Sequence, residues 1–240
     1  MRITIKNTIF TLLFFTLCII TAFMIYLHFY APGDKDLTGA WTAELDMTEQ
    51  AAVTALGWLQ DIEAVTISLE DMETYMQDLN IQVELTLEQT DRSVGTFHCS
   101  VLPESYEACN QAAYEAFAAA FQDLLAQRLH MAGYTGVTDG EDMEALVYES
   151  FGMSTVAYLM SYGPALLPDL EELQAQYDGS GTYETAEGVL IRQFDDDRSV
   201  ISIEERYIRQ DSSMVLSEAP DSAVPDLFAD HYPVIYTLKQ

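Results

Sequence analysis

The side chains that most often carry acid–base or metal chemistry are scattered in this sequence. Its four histidines are His28, His98, His130 and His231, and no two have the spacing of a metal-binding pair. The sequence contains no G-x-S-x-G nucleophile elbow, no H-E-x-x-H zinc motif and no phosphate-binding P-loop. These residues predict a protein that is not an enzyme and that holds no metal and no cofactor.

Acidic residues dominate the charge of the chain. Asp and Glu number 39 against 10 Lys and Arg, which gives a formal net charge of −29. The run Asp195-Asp196-Asp197 lacks the spaced oxygen ligands of an EF-hand and is typical of a solvated turn. A strongly negative surface repels phosphate backbones, so the composition excludes nucleic acid as a partner.

Two cysteines outside the N-terminal segment, Cys99 and Cys109, have two alternative interpretations. Cys99 lies on a predicted strand and Cys109 on the helix predicted to follow it. A disulfide between them would pin the helix to the sheet by closing a short loop. Alternatively, both are small buried thiols, which is a common role of free cysteine.

The N-terminal segment has the character of a membrane anchor. Ile9 to Leu27 carries no charged residue, and Arg2 and Lys6 precede it. As a helix this stretch approaches the ~30 Å thickness of a bilayer core. The sequence therefore predicts a signal-anchor over residues 1–31, which contacts the lipid bilayer through residues 9–30. A cleaved signal peptide is the alternative, although no small-x-small cleavage pattern follows.

The basic flank of this segment sets the expected topology. Positive residues remain on the cytoplasmic side of a single-pass helix. The protein is therefore expected in the cell membrane, with its N-terminus in the cytoplasm and most of the chain extracellular. Residues 32–38 form a short linker, and residues 39–240 form the external domain.

Alternation of apolar and polar residues predicts a β domain after the linker. The pattern begins at Trp41, is clearest in Ile81–Glu88 and Gly95–Val101, and resumes after Asp178. Short turns between such segments are typical of antiparallel strands. We predict an α+β fold: an N-terminal transmembrane helix, then an antiparallel, roughly eight-stranded barrel-like sheet with a large helical insertion at about 103–177.

The first strand carries a short motif with a known parallel. Gly39-Ala40-Trp41 resembles the G-x-W motif of lipocalin-like (calycin-type) β-barrels, and Leu37 to Asp46 is similar to such domains on bacterial surface proteins. The strand Tyr232–Leu238 is similar as well. The resemblance implies that Trp41 closes one end of a barrel beneath an arginine, which the sequence does not locate. It does not extend to the helical segment.

Two functions remain open from the sequence. The first is a membrane-anchored extracellular binding module for a small apolar ligand or a protein partner. The candidate ligand-binding residues are Trp41, Phe97, Phe117, Phe121, Met143 and Phe151. The aromatic and methionine residues of the helices among them fit an ordinary core equally well. The second is a structural envelope component whose barrel is filled and binds no ligand.

Overall fold

The computed structural model describes residues 14, 16–22, 36–60, 67–195, 202–219 and 231–239. The chain divides into two compact units, Met1–Lys35 and Asp36–Gln240. In the first unit, residues 16–22 are helical. Among the described residues, no helix has both the length and the apolar character needed to cross a membrane. The transmembrane helix predicted over residues 9–30 is therefore not supported here, and it falls largely outside the described residues.

The second unit is a closed antiparallel barrel. Each strand pairs with the next along the chain, and the last pairs with the first. The predicted α+β class and the eight-stranded antiparallel barrel are confirmed. The strands are β1 (Gly39–Asp46), β2 (Asn80–Asp91), β3 (Val94–Val101), β4 (Gly179–Ala186), β5 (Val189–Phe194), β6 (Ser202–Gln210), β7 (Ser213–Glu218) and β8 (Val234–Leu238).

Alternation along the strands decides which side chains fill the barrel. Trp41, Ala43 and Leu45 of β1 are buried, and so is every second residue from Ile81 to Leu87 of β2. Successive side chains of a strand point to opposite faces, so these residues line the interior. The same alternation runs through the other strands.

The two ends of the barrel differ in their connections. At one end, tight turns join β2 to β3, β4 to β5 and β6 to β7. In the second of these turns, Glu187 and Gly188 have φ values of 54° and 79°. Positive φ at both residues is typical of two-residue hairpin turns whose twist matches that of the sheet. The start of β1 lies at this end, because β1 runs antiparallel to β2.

Helices follow β1 and β3 at the opposite end. They are α1 (Thr48–Gln60), α2 (Leu69–Tyr75), α3 (Pro103–Met131), α4 (Gly140–Phe151), α5 (Thr155–Tyr162) and α6 (Leu170–Tyr177). The last four lie between β3 and β4. Helix α3 packs against β2, and α6 packs against β3. Buried side chains of α1, α2, α3, α5 and α6 share one continuous core with the barrel interior.

The spacing of Thr138 and Glu141 predicts a capping box at the start of α4, but the structure caps this helix differently. Asp139 is the N-cap, and its carboxylate accepts a hydrogen bond from the Asp142 backbone N–H at 3.0 Å. The Thr138 hydroxyl instead pairs with His130 Nε2 at 2.6 Å. Either residue type can cap a helix, so spacing alone did not distinguish them.

Candidate functional site

Trp41 lies at the turn end of the barrel and is fully buried. Its Nε1–H donates to the carbonyl oxygen of Leu37 at 2.8 Å, which satisfies the only polar atom of the indole. Gly39 has a φ of +144°, and a Cβ there would lie 2.4 Å from Leu238 Cδ1. The glycine of the G-x-W motif therefore lets the chain pass closely beneath the last strand.

Arg209 of β6 covers the Trp41 ring. Its Cζ lies 5.4 Å from the ring centroid, within the range of a cation–π contact. The resemblance implied an arginine on this tryptophan, and the sequence did not locate it. Arg209 lies near the end of β6, and only the strand order brings it to the start of β1.

A buried ion pair occupies the barrel interior. Arg192 of β5 and Glu205 of β6 are both 0% exposed. Arg192 Nε donates to Glu205 Oε2 at 2.9 Å, and Nη2 lies 2.7 Å from the same oxygen. The Tyr232 hydroxyl donates to the other carboxylate oxygen at 2.9 Å. Burying a charge is costly unless it is paired and hydrogen-bonded, and each oxygen of the Glu205 carboxylate has such a partner.

A sequence signal for this pair existed. In β5, Arg192 stands between Leu190 and Phe194 on the inward positions, and in β6 Glu205 stands between Ile203 and Tyr207. A charge at an inward position of an otherwise apolar alternation is unusual. Two such charges of opposite sign on neighbouring strands indicate a buried pair, and this signal was missed.

The groups around the pair are held in their protonated states. Burial raises the pKa of the Cys99 thiol to about 11, and the nearby Arg192 opposes this only in part. Burial also raises the pKa of the Tyr236 hydroxyl well above its usual value. Burial would lower the pKa of Arg192, but the Glu205 carboxylate together with Cys99, Tyr236 and Tyr232 outweighs this effect, and the net shift of the pKa is upward. A protonated thiol is a poor nucleophile, so the cluster is not arranged for covalent chemistry.

Phe97 packs among other interior side chains. Its ring meets Phe194 edge to face, with centroids 5.0 Å apart, and Arg192 Cζ lies 5.6 Å from its centroid. Nearby, a Cβ added to Gly95 would come within 2.5 Å of the Tyr183 ring. Contacts this close show that side chains fill this part of the barrel.

Phe117 and Phe121 of α3 form a helix–helix contact. Both rings pack against Trp58 of α1, with centroids 5.7 Å and 6.1 Å away. Phe117 is fully buried, and Phe121 is partly buried against the same core. These two candidate ligand residues join α1 to α3.

The remaining two candidates lie on α4 and face different surroundings. Met143 is 3% exposed and packs inward, whereas Phe151 is 53% exposed. The structure thus does not gather the six candidate residues. Trp41 and Phe97 lie in the barrel, and Phe117 and Phe121 lie between α1 and α3. On α4, Met143 is buried whereas Phe151 is exposed.

Phe151 begins a row of rings, exposed except for the partly buried Tyr158, that the sequence analysis did not identify. Its ring centroid lies 4.5 Å from that of Tyr158, which lies 5.3 Å from that of Tyr162. Tyr148 precedes Phe151 by three residues and therefore lies on the same side of α4. We call Tyr148, Phe151, Tyr158 and Tyr162 the aromatic row. Tyr148 is 61% exposed and Tyr162 is 64% exposed.

A carboxylate between α4 and α5 positions the aromatic row. Glu144 accepts from the Thr155 hydroxyl at 2.6 Å and from the Thr155 backbone N–H at 3.2 Å to each oxygen. The Gln122 amide of α3 donates to the same carboxylate at 2.8 Å. Thr155 is fully buried at the first turn of α5. Glu144 therefore ties α4 to both α3 and α5.

A cleft of about 610 Å³ lies between α3 and α4, beside the aromatic row. Its walls include Tyr148 and the carboxylates of Glu141 and Glu149. Both glutamates are exposed. The cleft can accept an elongated side chain whose tip is positively charged.

Cys99 and Cys109 are both free and buried. Cys99 is directed into the barrel beside Arg192, whereas Cys109 lies near Asp46 at the end of β1. The disulfide that the sequence allowed is therefore not formed in the structure, and the two side chains have separate surroundings.

Comparison with known proteins adds no relative. No protein-family model, no curated protein and no solved structure matches this chain. The closed eight-stranded antiparallel barrel is compatible with a lipocalin-like fold, and no homologue confirms that family.

Proposed function

We propose that this chain is a protein-binding module in which a filled β-barrel supports a binding surface on the inserted helices. The observation that carries the proposal is the aromatic row. The rings of Phe151 and Tyr162 each contact Tyr158 in a tilted arrangement, and Phe151 and Tyr162 are more than half exposed. Clusters of exposed aromatic side chains mark contact sites, because tyrosine and phenylalanine bury large rigid surfaces on association.

The packing of the barrel favours a protein partner over a small apolar ligand. Trp41, Arg192 and Tyr236 are among the largest fully buried side chains of the described residues. An interior occupied by an ion pair and aromatic rings offers little apolar volume to a ligand. The interior instead acts as a rigid core that the helices other than α4 share.

The anchor belongs to the same proposal. Arg2, Lys6 and the uncharged stretch that follows support a signal-anchor that contacts the bilayer through residues 9–30. The domain from residue 39 onward would then present the aromatic row outside the cell. The strongly acidic composition supports this placement, since it keeps the domain soluble beside the membrane.

The second candidate function is a structural envelope component that binds no ligand. The filled barrel supports this structural function as well as it supports the protein-binding function. The aromatic row distinguishes the two, because a purely structural domain has no need of stacked rings at its surface.

Site-specific photo-crosslinking in cells that produce the full chain tests the proposal. A photoreactive phenylalanine derivative replaces Tyr162 in one version and Thr96 in the other. Thr96 is exposed on the outer face of β3 and serves as the reference position. We expect a defined cross-linked protein from position 162 and none from position 96.

Matched variants make the test specific. Phe151→Ser shortens the aromatic row, and Ile208→Ser removes an equally exposed apolar side chain from β6. The product from position 162 should disappear with Phe151→Ser and persist with Ile208→Ser. If position 162 yields no more product than position 96, the structural alternative is correct and the binding proposal is wrong.

A further inference from the structure

We infer that the partner presents a basic, apolar-faced segment whose lysine or arginine side chain enters the α3–α4 cleft while its apolar side chains cover the aromatic row. This inference rests on the proposed function and specifies the chemistry of the partner. It is carried by three features of the helical region: its charge, the shape of the cleft and the position of Tyr148.

Charge complementarity points to a basic partner. No lysine or arginine occurs from Leu129 through Ile191, a stretch that contains α4, α5 and α6. Helix α4 carries Glu141, Asp142, Glu144 and Glu149. Apolar rings beside carboxylates, in a segment without lysine or arginine, match a surface that combines apolar and cationic side chains.

The negative charge of α4 disfavours two other partners for this surface, a second copy of the chain and an anionic membrane. In a symmetric dimer the same surface meets itself, so the acids of α4 would face the acids of a second copy. Like charges placed together across an interface cost several kcal/mol in general. An anionic lipid surface would be repelled for the same reason.

The cleft is an open groove along α4 in which a side chain can lie. Glu141 and Glu149 lie on one face of α4, two helical turns apart, which is about 12 Å along the axis. Tyr148 and Ala145 lie between them and line the cleft. A lysine or arginine side chain can place its methylene stem on these two residues and its charge beside a glutamate. The Tyr148 ring offers a cation–π contact as well.

The three cleft glutamates have different roles. The Glu144 carboxylate is engaged by Thr155 and Gln122. Within the described part of the chain, the carboxylates of Glu141 and Glu149 make no hydrogen bond, so they are available to a partner. They can be neutralised without disturbing the contacts that hold α5, which makes them suitable for a test.

The probe is an amphipathic helical peptide built from leucine and lysine, and the companion peptide has every lysine replaced by glutamate. The full chain is held in nanodiscs of neutral phosphatidylcholine, and binding to empty nanodiscs is subtracted. Fluorescence anisotropy measures the Kd at low salt and at physiological salt. We expect the lysine peptide to bind, the glutamate peptide not to bind, and salt to weaken binding.

The decisive variant is Glu141→Gln/Glu149→Gln. Its matched control is Glu171→Gln/Glu172→Gln, which removes the same charge from the exposed first turn of α6. We expect the α4 variant to raise the Kd on the order of tenfold and the α6 variant to change it less than about twofold. Equal weakening by both variants would show diffuse attraction and overturn the inference.

Phe151→Ser separates this inference from the proposed function. If Phe151→Ser abolishes peptide binding and the α4 variant does not change it, the basic-pocket inference is wrong and the aromatic row still binds. If the α4 variant weakens binding and Phe151→Ser does not, the peptide does not use the row, and the inference as stated is wrong. The photo-crosslinking result is independent of both outcomes.

Discussion

The guanidinium of Arg209 lies over the indole of Trp41, with 5.4 Å between its Cζ and the ring centroid. The contact joins the start of β1 to the end of β6 across the turn end of the barrel. Leu37 lies against the same end, since its carbonyl accepts the Trp41 Nε1–H. The two residues therefore close the barrel at the end opposite the described helices.

Removing the Trp41 side chain should destabilise the domain more than removing the Arg209 side chain. Trp41→Ala should cost about 3–5 kcal/mol, because it leaves a cavity among packed side chains. Arg209→Ala should cost about 0.5–2 kcal/mol, the range of a cation–π contact. Arg206→Ala, on the outward face of the same strand, is the control and should be nearly neutral. Chemical denaturation measures each change, and a loss below about 1 kcal/mol for Trp41→Ala would contradict its role in the core.

The Arg192–Glu205 pair should be strongly coupled. Arg192→Met alone leaves the Glu205 carboxylate buried without its partner, which generally costs about 3–5 kcal/mol. The double variant Arg192→Met/Glu205→Leu removes both charges and should recover most of that loss. A double-mutant cycle measured by denaturation gives the coupling energy. Additive losses would contradict a paired, desolvated site.

The buried thiols should respond to unfolding and to pH. Neither Cys99 nor Cys109 should react with a thiol reagent at neutral pH in the native protein, and both should react after unfolding without reductant. Burial raises the pKa of Cys99 to about 11 from a usual value near 9.0. The unfolded thiol therefore ionises first, and stability should fall as the pH rises from about 9 towards 11.

Cys99→Ala provides the control for that pH dependence. The variant lacks the titrating thiol, so its stability should fall less steeply over the same interval. Identical pH profiles for the variant and the native protein would show that Cys99 is not buried in its protonated form. Failure of both thiols to react after unfolding would instead indicate a disulfide.

Replacing Glu144 should destabilise the domain more than replacing the nearby Glu141. Glu144→Gln weakens the hydrogen bonds to the Thr155 hydroxyl and backbone N–H, and should cost about 1–3 kcal/mol. Glu141→Gln changes an exposed side chain and should stay within about 0.5 kcal/mol. Hydrogen exchange of the α5 amides should increase in the Glu144 variant alone. Equal exchange in the two variants would mean that Glu144 does not hold α5.

Local patterns predicted the strands well, because alternation is a local property. The hairpin of β2 and β3 and the buried face of β1 follow directly from their sequences. The short turns between the predicted strands indicated an antiparallel barrel of about eight strands, and the structure has this barrel. Short turns force neighbours along the chain to pair, so little long-range information was needed.

Contacts between distant segments were not predictable in the same way. Arg209 reaches Trp41, and Arg192 reaches Glu205, only after the register of the strands is set. The aromatic row was missed because Phe151 was interpreted as lining an inner pocket. On a short helix between two turns, spacing alone does not decide which face is covered.

The central claim is that side chains fill the barrel and that the aromatic row, not the barrel interior, is the binding surface. Titration with a neutral apolar fluorophore tests this claim most directly. The full chain is compared with Phe151→Ser, with Ala43→Phe and with Leu85→Ala, which opens a cavity at a fully buried position. We predict no saturable site inside the native barrel, loss of any surface binding in Phe151→Ser, and a new saturable site in Leu85→Ala. Saturable, stoichiometric binding to the native chain that survives Phe151→Ser and disappears in Ala43→Phe would contradict this account.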